Sequence, residues 1–332
     1  MSGPVMSSDD FWQPSTEKQT LDVGNEGTLR WLHLGFGFGI ASICVALMVV
    51  LAPFTPVTDV FVQVTDCSDY NAPLLSSGEE LSTVNESGIQ DGDCPHDIEI
   101  ASWNLEVFGQ SKANNPGELS EIAEKISNYD IVAVQEIKDK NPGTAPYILQ
   151  DEVEKYGEYG MVLSNRTGSF CEENPYASEQ YAFFYNNDTI KQLESEHHYP
   201  DIDCDFSREP FAARFQSSQY DYSFVLITLH VKPDDALNET KALVNVFEWA
   251  KFQYPDEEDF ILLGDLNADC SYARSSELDE LAIRNGSYQW IIPDGTNTNT
   301  AESSSCAYDR MIIGDGGSDE YLGSFSTDCE VE

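Results

Sequence analysis

Asn104, Glu136, His230, Asp265 and Asn267 each close a short apolar run: Ile100 to Trp103, Ile131 to Val134, Phe224 to Leu229 and, for the last two, Phe260 to Leu263. Carboxylate and amide oxygens are hard ligands suited to Mg2+ or Ca2+, and a metal held by one or two protein carboxylates keeps sites for water and phosphate. An imidazole exchanges protons near neutral pH, and Arg208 offers a planar fork to phosphate oxygens. Together these types point to metal-assisted phosphoester hydrolysis. A single Asp or Asn at a strand end is often only a cap for the next helix; five polar residues at the ends of four strands make a site. No Walker phosphate loop, GxSxG elbow or HExxH pair occurs in the chain, which removes three other common catalytic frames.

The elements that must position these residues alternate between strand and helix. Ile98 to Leu105, Ile131 to Val134, Tyr181 to Tyr185, Phe224 to Leu229 and Phe260 to Leu263 read as strands, and Leu119, Ile122, Ala123 and Ile126 mark one helical face. A helix is expected over about 236–253, with Asp234 and Asp235 as caps, and another after Ser275-Ser276 carrying Leu278, Leu281 and Ala282. Strands at Gln289 to Ile292 and Met311 to Ile313 complete an α/β pattern. In layered α/β folds, strand ends are where loops gather side chains on a rigid frame.

With 59 Asp+Glu against 17 Lys+Arg in 332 residues, the chain carries a formal charge of −42. Binding nucleic acid through a broad basic surface is excluded, because neutralising phosphates needs clustered cations. Disorder throughout is excluded too, since 41% of residues are hydrophobic and 11% aromatic.

From Trp31 to Thr58 there is no charged residue, and residues 31–54 would span roughly 36 Å as a helix, enough to cross a bilayer. This predicts a single transmembrane signal-anchor helix over 31–54. Lys18 and Arg30 precede it and the next basic residue is Lys112, so residues 1–30 are expected in the cytoplasm and the remainder outside the cell. Seven of the eight cysteines and the acceptor triplets at Asn85, Asn165, Asn187, Asn238 and Asn285 suit that side. Residues 55–96, acidic and without Lys or Arg, read as a solvated stalk. The catalytic domain is then 97–332.

The segments Ile100 to Asn104, Val134-Gln135-Glu136, Phe206 to Pro210, Leu229-His230, Leu263 to Tyr272 and Cys306 to Arg310 resemble, in order and spacing, the endonuclease/exonuclease/phosphatase superfamily. Within it the stretches FSREP, GDxNADCSY, QWxIPD and CAYDR resemble the deoxyribonuclease I branch, over about 98–325. The resemblance implies a four-layered sandwich of two packed mixed β-sheets flanked by helices, acting on DNA with Mg2+ (or Mn2+) and a structural Ca2+. It implies that Glu136 binds the catalytic metal with Asn104 beside it, and that His230 is a catalytic histidine oriented by Glu179. Asp265 and Asn267 would contact metal and scissile phosphate, Asp309 would pair with a second histidine, and Arg208 and Lys138 would contact substrate. Cys270 and Cys306 match the family's structural disulfide, and Cys204, with Cys171, its smaller loop disulfide.

One departure stands out. The family continues past the YDR segment through a helix to a last strand and a Ser-Asp-His triplet, which supplies the second catalytic histidine. Here Ser318-Asp319-Glu320 offers Glu in its place, and the five histidines, His33, His96, His197, His198 and His230, all lie upstream. The sequence therefore predicts a domain short of its C-terminal strand, and loss of one acid or base typically costs about 10²–10⁴-fold in rate. Two alternatives follow: a catalytically impaired, membrane-tethered module that binds DNA or another partner, or a phosphodiesterase of the same superfamily acting on lipid or inositol phosphates.

The charge adds an expectation about salt. Near 1 M the Debye length is about 3 Å, so −42 scarcely repels DNA, whereas at low salt it slows association. Cleavage is expected to rise with salt before it falls, as suits a marine or halophilic source. A steady decline from about 10 mM upward in a nicking assay contradicts this.

Overall fold

A computed structural model describes residues 59–64, 98–139, 143–168, 178–193, 196–219, 221–299, 304–314 and 325–328, all within the unit Thr55–Glu332. In chain order the elements are β1 (Asp59–Val64), β2 (Ile98–Phe108), α1 (Gln110–Ala113), α2 (Pro116–Ile126), β3 (Ile131–Ile137), α3 (Ala145–Val153), β4 (Tyr159–Leu163), β5 (Gln180–Asn186), β6 (Ile190–Gln192), β7 (His197–His198), β8 (Phe211–Ser217), β9 (Ser223–His230), α4 (Ala236–Gln253), β10 (Phe260–Asp265), α5 (Ser275–Leu278), β11 (Gln289–Trp290), β12 (Asp309–Ile313) and β13 (Phe325–Asp328). Among the described residues the strands form two mixed sheets, β13-β1-β2-β3-β5-β4 and β11-β12-β10-β9-β8-β6, with β7 beside β8.

Side-chain alternation decides the layers. Along β9, Phe224 and Leu226 face the other sheet, while Val225, Ile227 and Leu229 face α4; along β10, Ile261 and Leu263 point inward and Phe260 and Leu262 outward. In the first sheet Ile98, Ile100, Ile131, Ala133, Tyr181 and Phe183 meet the inward set. Ala101, Trp103, Val132, Val134 and Phe184 instead cover the stripe Leu119, Ile122, Ile126 of α2 and Leu149 of α3. The stripe on α4, Leu243, Val246, Phe247 and Ala250, closes the opposite side. Helices, sheet, sheet and helix thus stack as four layers, the expected flanked sandwich.

Two expectations are corrected. Sheet one does have a C-terminal strand: β13 pairs antiparallel with β1, Asp59 opposite Asp328 and Val62 opposite Phe325, and β1 pairs antiparallel with β2. The strand β1 lies inside the segment read as a stalk, and pairing on both its edges satisfies backbone groups that a solvated tether would leave to water. The expected membrane anchor also has no counterpart among the described residues. No helix among the described residues is long and apolar enough to cross a membrane, and residues 31–54 lie outside those described. The longest described helix, α4, carries Asn238, Lys241, Asn245, Glu248 and Lys251 on the face away from its apolar stripe. The transmembrane helix, the membrane partner and the outward single-pass topology thus have no support among the described residues.

The helix expected after Ser275 is shorter than its pattern, α5 ending at Leu278 and a separate 3₁₀ turn covering Ala282–Arg284. Cys270 and Cys306 form the expected disulfide, which ties the loop after β10 to the segment leading into β12. Cys204 is disulfide-bonded, while Cys171 lies outside the described residues.

Candidate active site

The inward parity of the strands, continued past the apolar core, reaches polar side chains. Ser102 on β2, Gln135 on β3 and Thr228 on β9 form a buried rung between the sheets, Gln135 Nε2 donating to Thr228 Oγ1 at 2.9 Å and Ser102 Oγ at 3.1 Å. Beyond it the same parity carries Asn104 on β2, Glu179 before β5, His230 on β9, Asp265 on β10 and Asp309 on β12. Registers bring them level, Asp265 standing opposite His230 in the parallel pair and opposite Asp309 in the antiparallel one.

Glu136 is the exception, since its parity is that of Val132 and Val134, which face the helices. The β3 register slips between Val134 and Ile137, and Glu136 takes φ +61°. That bulge turns the carboxylate back to the site, where Oε1 accepts from Asn104 Nδ2 at 3.3 Å. Its Oε2 accepts from the Val107 backbone N–H at 2.9 Å and from Lys138 Nζ at 3.0 Å. Glu106 and Val107 also take left-handed backbone, φ +46° and +62°, uncommon for a β-branched residue. The strain is stored where it aims an N–H at Glu136.

His230 sits at the centre, its side chain 8% exposed. Nδ1 lies 3.1 Å from Glu179 Oε1 and 3.6 Å from Glu136 Oε1, and Nε2 lies 3.6 Å from Asp265 Oδ2. Its backbone is fixed from both sides: the N–H donates to Tyr181 Oη at 3.1 Å, and the carbonyl accepts from Arg208 Nε at 2.7 Å. Asn104 Nδ2 also donates to Asp265 Oδ2 at 3.0 Å, and Asn267 Nδ2 donates to the Val231 carbonyl at 3.0 Å. Glu136, Glu179 and His230 offer ligand atoms all within 4.8 Å of one another, so the cluster can hold a divalent ion.

Electrostatics couple the pair. Burial disfavours the imidazolium of His230, but the Glu179 carboxylate and then Asp265 outweigh it, so its pKa lies above the ordinary 6.5. Burial likewise disfavours ionised Glu179, but His230, Arg208 and Lys138 outweigh it and hold the carboxyl below the usual 4.5. By linkage, the His230 contribution to stability is fully present below about pH 6.5 and lost as pH rises through its raised value; that of Glu179 is present above about pH 4.5 and lost as pH falls through its lowered value. Both operate between these limits. Glu179→Gln removes the leading cause of the histidine's upward shift, so the imidazole C–H titration followed by NMR is expected to move to lower pH. An unchanged midpoint would show that Glu179 does not control His230.

Every predicted site residue on the described strands therefore converges at one end of the sandwich, Asn104, Glu136, Glu179, His230, Asp265 and Asp309 with Lys138, Arg208 and Asn267 around them. The other two described histidines do not join them: His197 packs edge-on against Tyr254, and His198 packs on Phe211 while its Nε2 accepts from the Asn165 N–H at 3.1 Å. Sequence reasoning overlooked Tyr181, the Ser102-Gln135-Thr228 rung and Glu239, a fully buried acid on the inner stripe of α4. The signal for the last was a carboxylate at helical spacing between Ala236 and Leu243.

Residues 101–316 match the model of the Endonuclease/Exonuclease/phosphatase family. The chain belongs to this family. It is 36% identical to human deoxyribonuclease gamma over 225 residues, covering 65% of this chain and 72% of that one. It is 35% identical to rabbit deoxyribonuclease-1, covering 65% and 77%. Among solved structures, a humanized zebrafish (D. rerio) TDP2 superposes with TM-score 0.47 at 14% identity, covering 67% of this chain and 84% of that one. Family membership together with the Glu136, Glu179, His230 cluster supports a metal-assisted phosphoesterase in general terms.

Proposed function

We propose that the chain is a metal-dependent endonuclease that hydrolyses phosphodiester bonds in DNA. The observation that carries it is the meeting of Glu136, Glu179, Asp265 and one imidazole at the strand ends of the sandwich. The donor set suits a hard cation, with Glu136 holding Mg2+ (or Mn2+) and Asn104 and Asp265 beside it. Bound there, such an ion supplies polarisation of a phosphoryl oxygen and a more acidic water.

The chain's own groups divide the remaining tasks. Glu179 orients the imidazole through Nδ1 and keeps it protonated to higher pH, leaving the Nε2 edge beside Asp265 to exchange a proton with the phosphodiester. Arg208 is buried and its Nη2 has no hydrogen-bond partner among the described residues, an unmet donor beside His230 that suits a phosphate oxygen once substrate enters. Asn267, held to Val231 at φ +48°, and Lys138 flank the same space. Asp309 adds a second carboxylate level with Asp265. The choice of DNA is supported by relatives that are deoxyribonucleases by name.

A second reading has one observation behind it: His230 is the only histidine in the cluster among the described residues, so the site would bind DNA while cutting it slowly. The full chain offered supercoiled plasmid, sphingomyelin and inositol phosphates in Mg2+ plus Ca2+ tests the substrate. Nicking without release of phosphocholine or inorganic phosphate is expected; the reverse pattern assigns the site to the other branch of the family.

A further inference from the structure

Glu239 has no part in the chemistry above, yet it is a wholly buried acid close to it. It lies on α4, behind sheet two, with 0% of its surface exposed. Its Oε1 accepts from the Ser207 backbone N–H at 3.2 Å, and the carboxylate also accepts a backbone hydrogen bond from Lys232. Its Oε2 has no hydrogen-bond partner among the described residues. Burial pushes its carboxyl up to about 7, against the hydrogen bonds from Ser207 and the charge of Arg208. A buried acid left in that state opposes stability where an apolar side chain of similar size would not.

The two backbone groups it holds locate its purpose. Ser207 immediately precedes Arg208, and Lys232 lies two residues after His230. Arg208 and His230 are themselves joined, Arg208 Nε donating to the His230 carbonyl at 2.7 Å, with Arg208 Nε 3.8 Å from Glu179 Oε2. One carboxylate from the helix layer therefore clamps both segments whose contact orients the Arg208 guanidinium. We propose that Glu239 is a positioning residue that sets the placement of Arg208 relative to His230 and so the grip on substrate phosphate. The inference rests on the phosphodiesterase reading of the site.

Arg208 is expected to receive phosphate, so the effect should fall on substrate binding and act through Arg208 alone. Glu239→Leu fills the space but removes the clamp; a small displacement of a positioned group costs roughly 10-fold or more. The full chain carrying E239L is expected to show a KM for DNA, and a Kd for a short duplex measured without divalent metal, about 10-fold higher, with kcat within about 3-fold. E239Q, whose amide oxygen still accepts from Ser207 and Lys232, is expected to restore both and, lacking the buried charge, to melt at or above the parent's Tm at pH 8. In an R208A background E239L should change neither constant further.

An equal loss in both backgrounds, or an unchanged Kd in a folded E239L chain, would overturn the proposal. So would an E239Q chain as weak as E239L. A parent that binds duplex and leaves it intact strikes the hydrolytic reading instead, while the cycle on Kd still decides the role of Glu239.

Discussion

His230→Ala is expected to slow plasmid nicking by about 10²–10⁴-fold while the chain stays folded. The side chain makes the Nδ1 contact to Glu179 at 3.1 Å and the Nε2 approach to Asp265 at 3.6 Å, and both vanish with the imidazole. What locks β9 in place survives, because Tyr181 Oη and Arg208 Nε bind the backbone N–H and carbonyl of residue 230. Glu179, stripped of its imidazole partner, keeps Lys138 Nζ at 3.5 Å and Arg208 Nε at 3.8 Å, so no buried charge is left alone. Activity and stability should therefore separate. Initial nicking rates and a thermal melt on the same preparation measure the two, and a folded variant that loses less than about tenfold would place the proton transfer on another group.

Gly264→Ala acts in the opposite sense, on the fold first. Gly264 has φ +153°, and a Cβ there would stand 2.1 Å from the Leu229 carbonyl oxygen. The obstacle is main chain in the neighbouring strand, which cannot rotate away, and the parallel register sets Gly264 beside Leu229 and Asp265 beside His230. Relief requires moving β9 and β10 apart where they carry the site. A cost on the order of 4 kcal/mol or more is expected, at the extreme for a single substitution. Denaturant unfolding checks it; a G264A chain within about 1 kcal/mol of the parent would show that the strands part easily there.

Much of this site is legible in the sequence because its residues follow apolar runs that can hardly be anything but buried strands. Asn104, His230 and Asp265 needed only strand parity to point between the sheets. Glu136 did not obey parity, and its position depends on a register slip and a left-handed backbone that no hydrophobic pattern announces. The strand β1 had its own period-two signal in Val60, Val62 and Val64, outweighed by the acidic, Ser- and Gly-rich residues after it. A strand that draws its pairing from β2 on one edge and β13 on the other declares itself only once both partners are placed. Glu239 was hidden for a related reason: a carboxylate in a helical stripe reads as a surface charge until the layer covering it is known.

The second histidine expected from the family has no counterpart in the described cluster, and His197 and His198 are engaged in β7. On the proposed function the weight of proton transfer falls on the Glu179–His230 pair, and the central claim is that this cluster, loaded with a divalent ion, cuts phosphodiesters. The most direct test is the initial rate at which the purified full chain converts supercoiled plasmid to open circles as Mg2+ or Mn2+ is titrated. No conversion is expected in EDTA, with a saturable rise as metal is added and full reversal on chelation. A folded chain that leaves plasmid intact at every metal concentration, or one that cuts equally well in EDTA, would contradict the central claim.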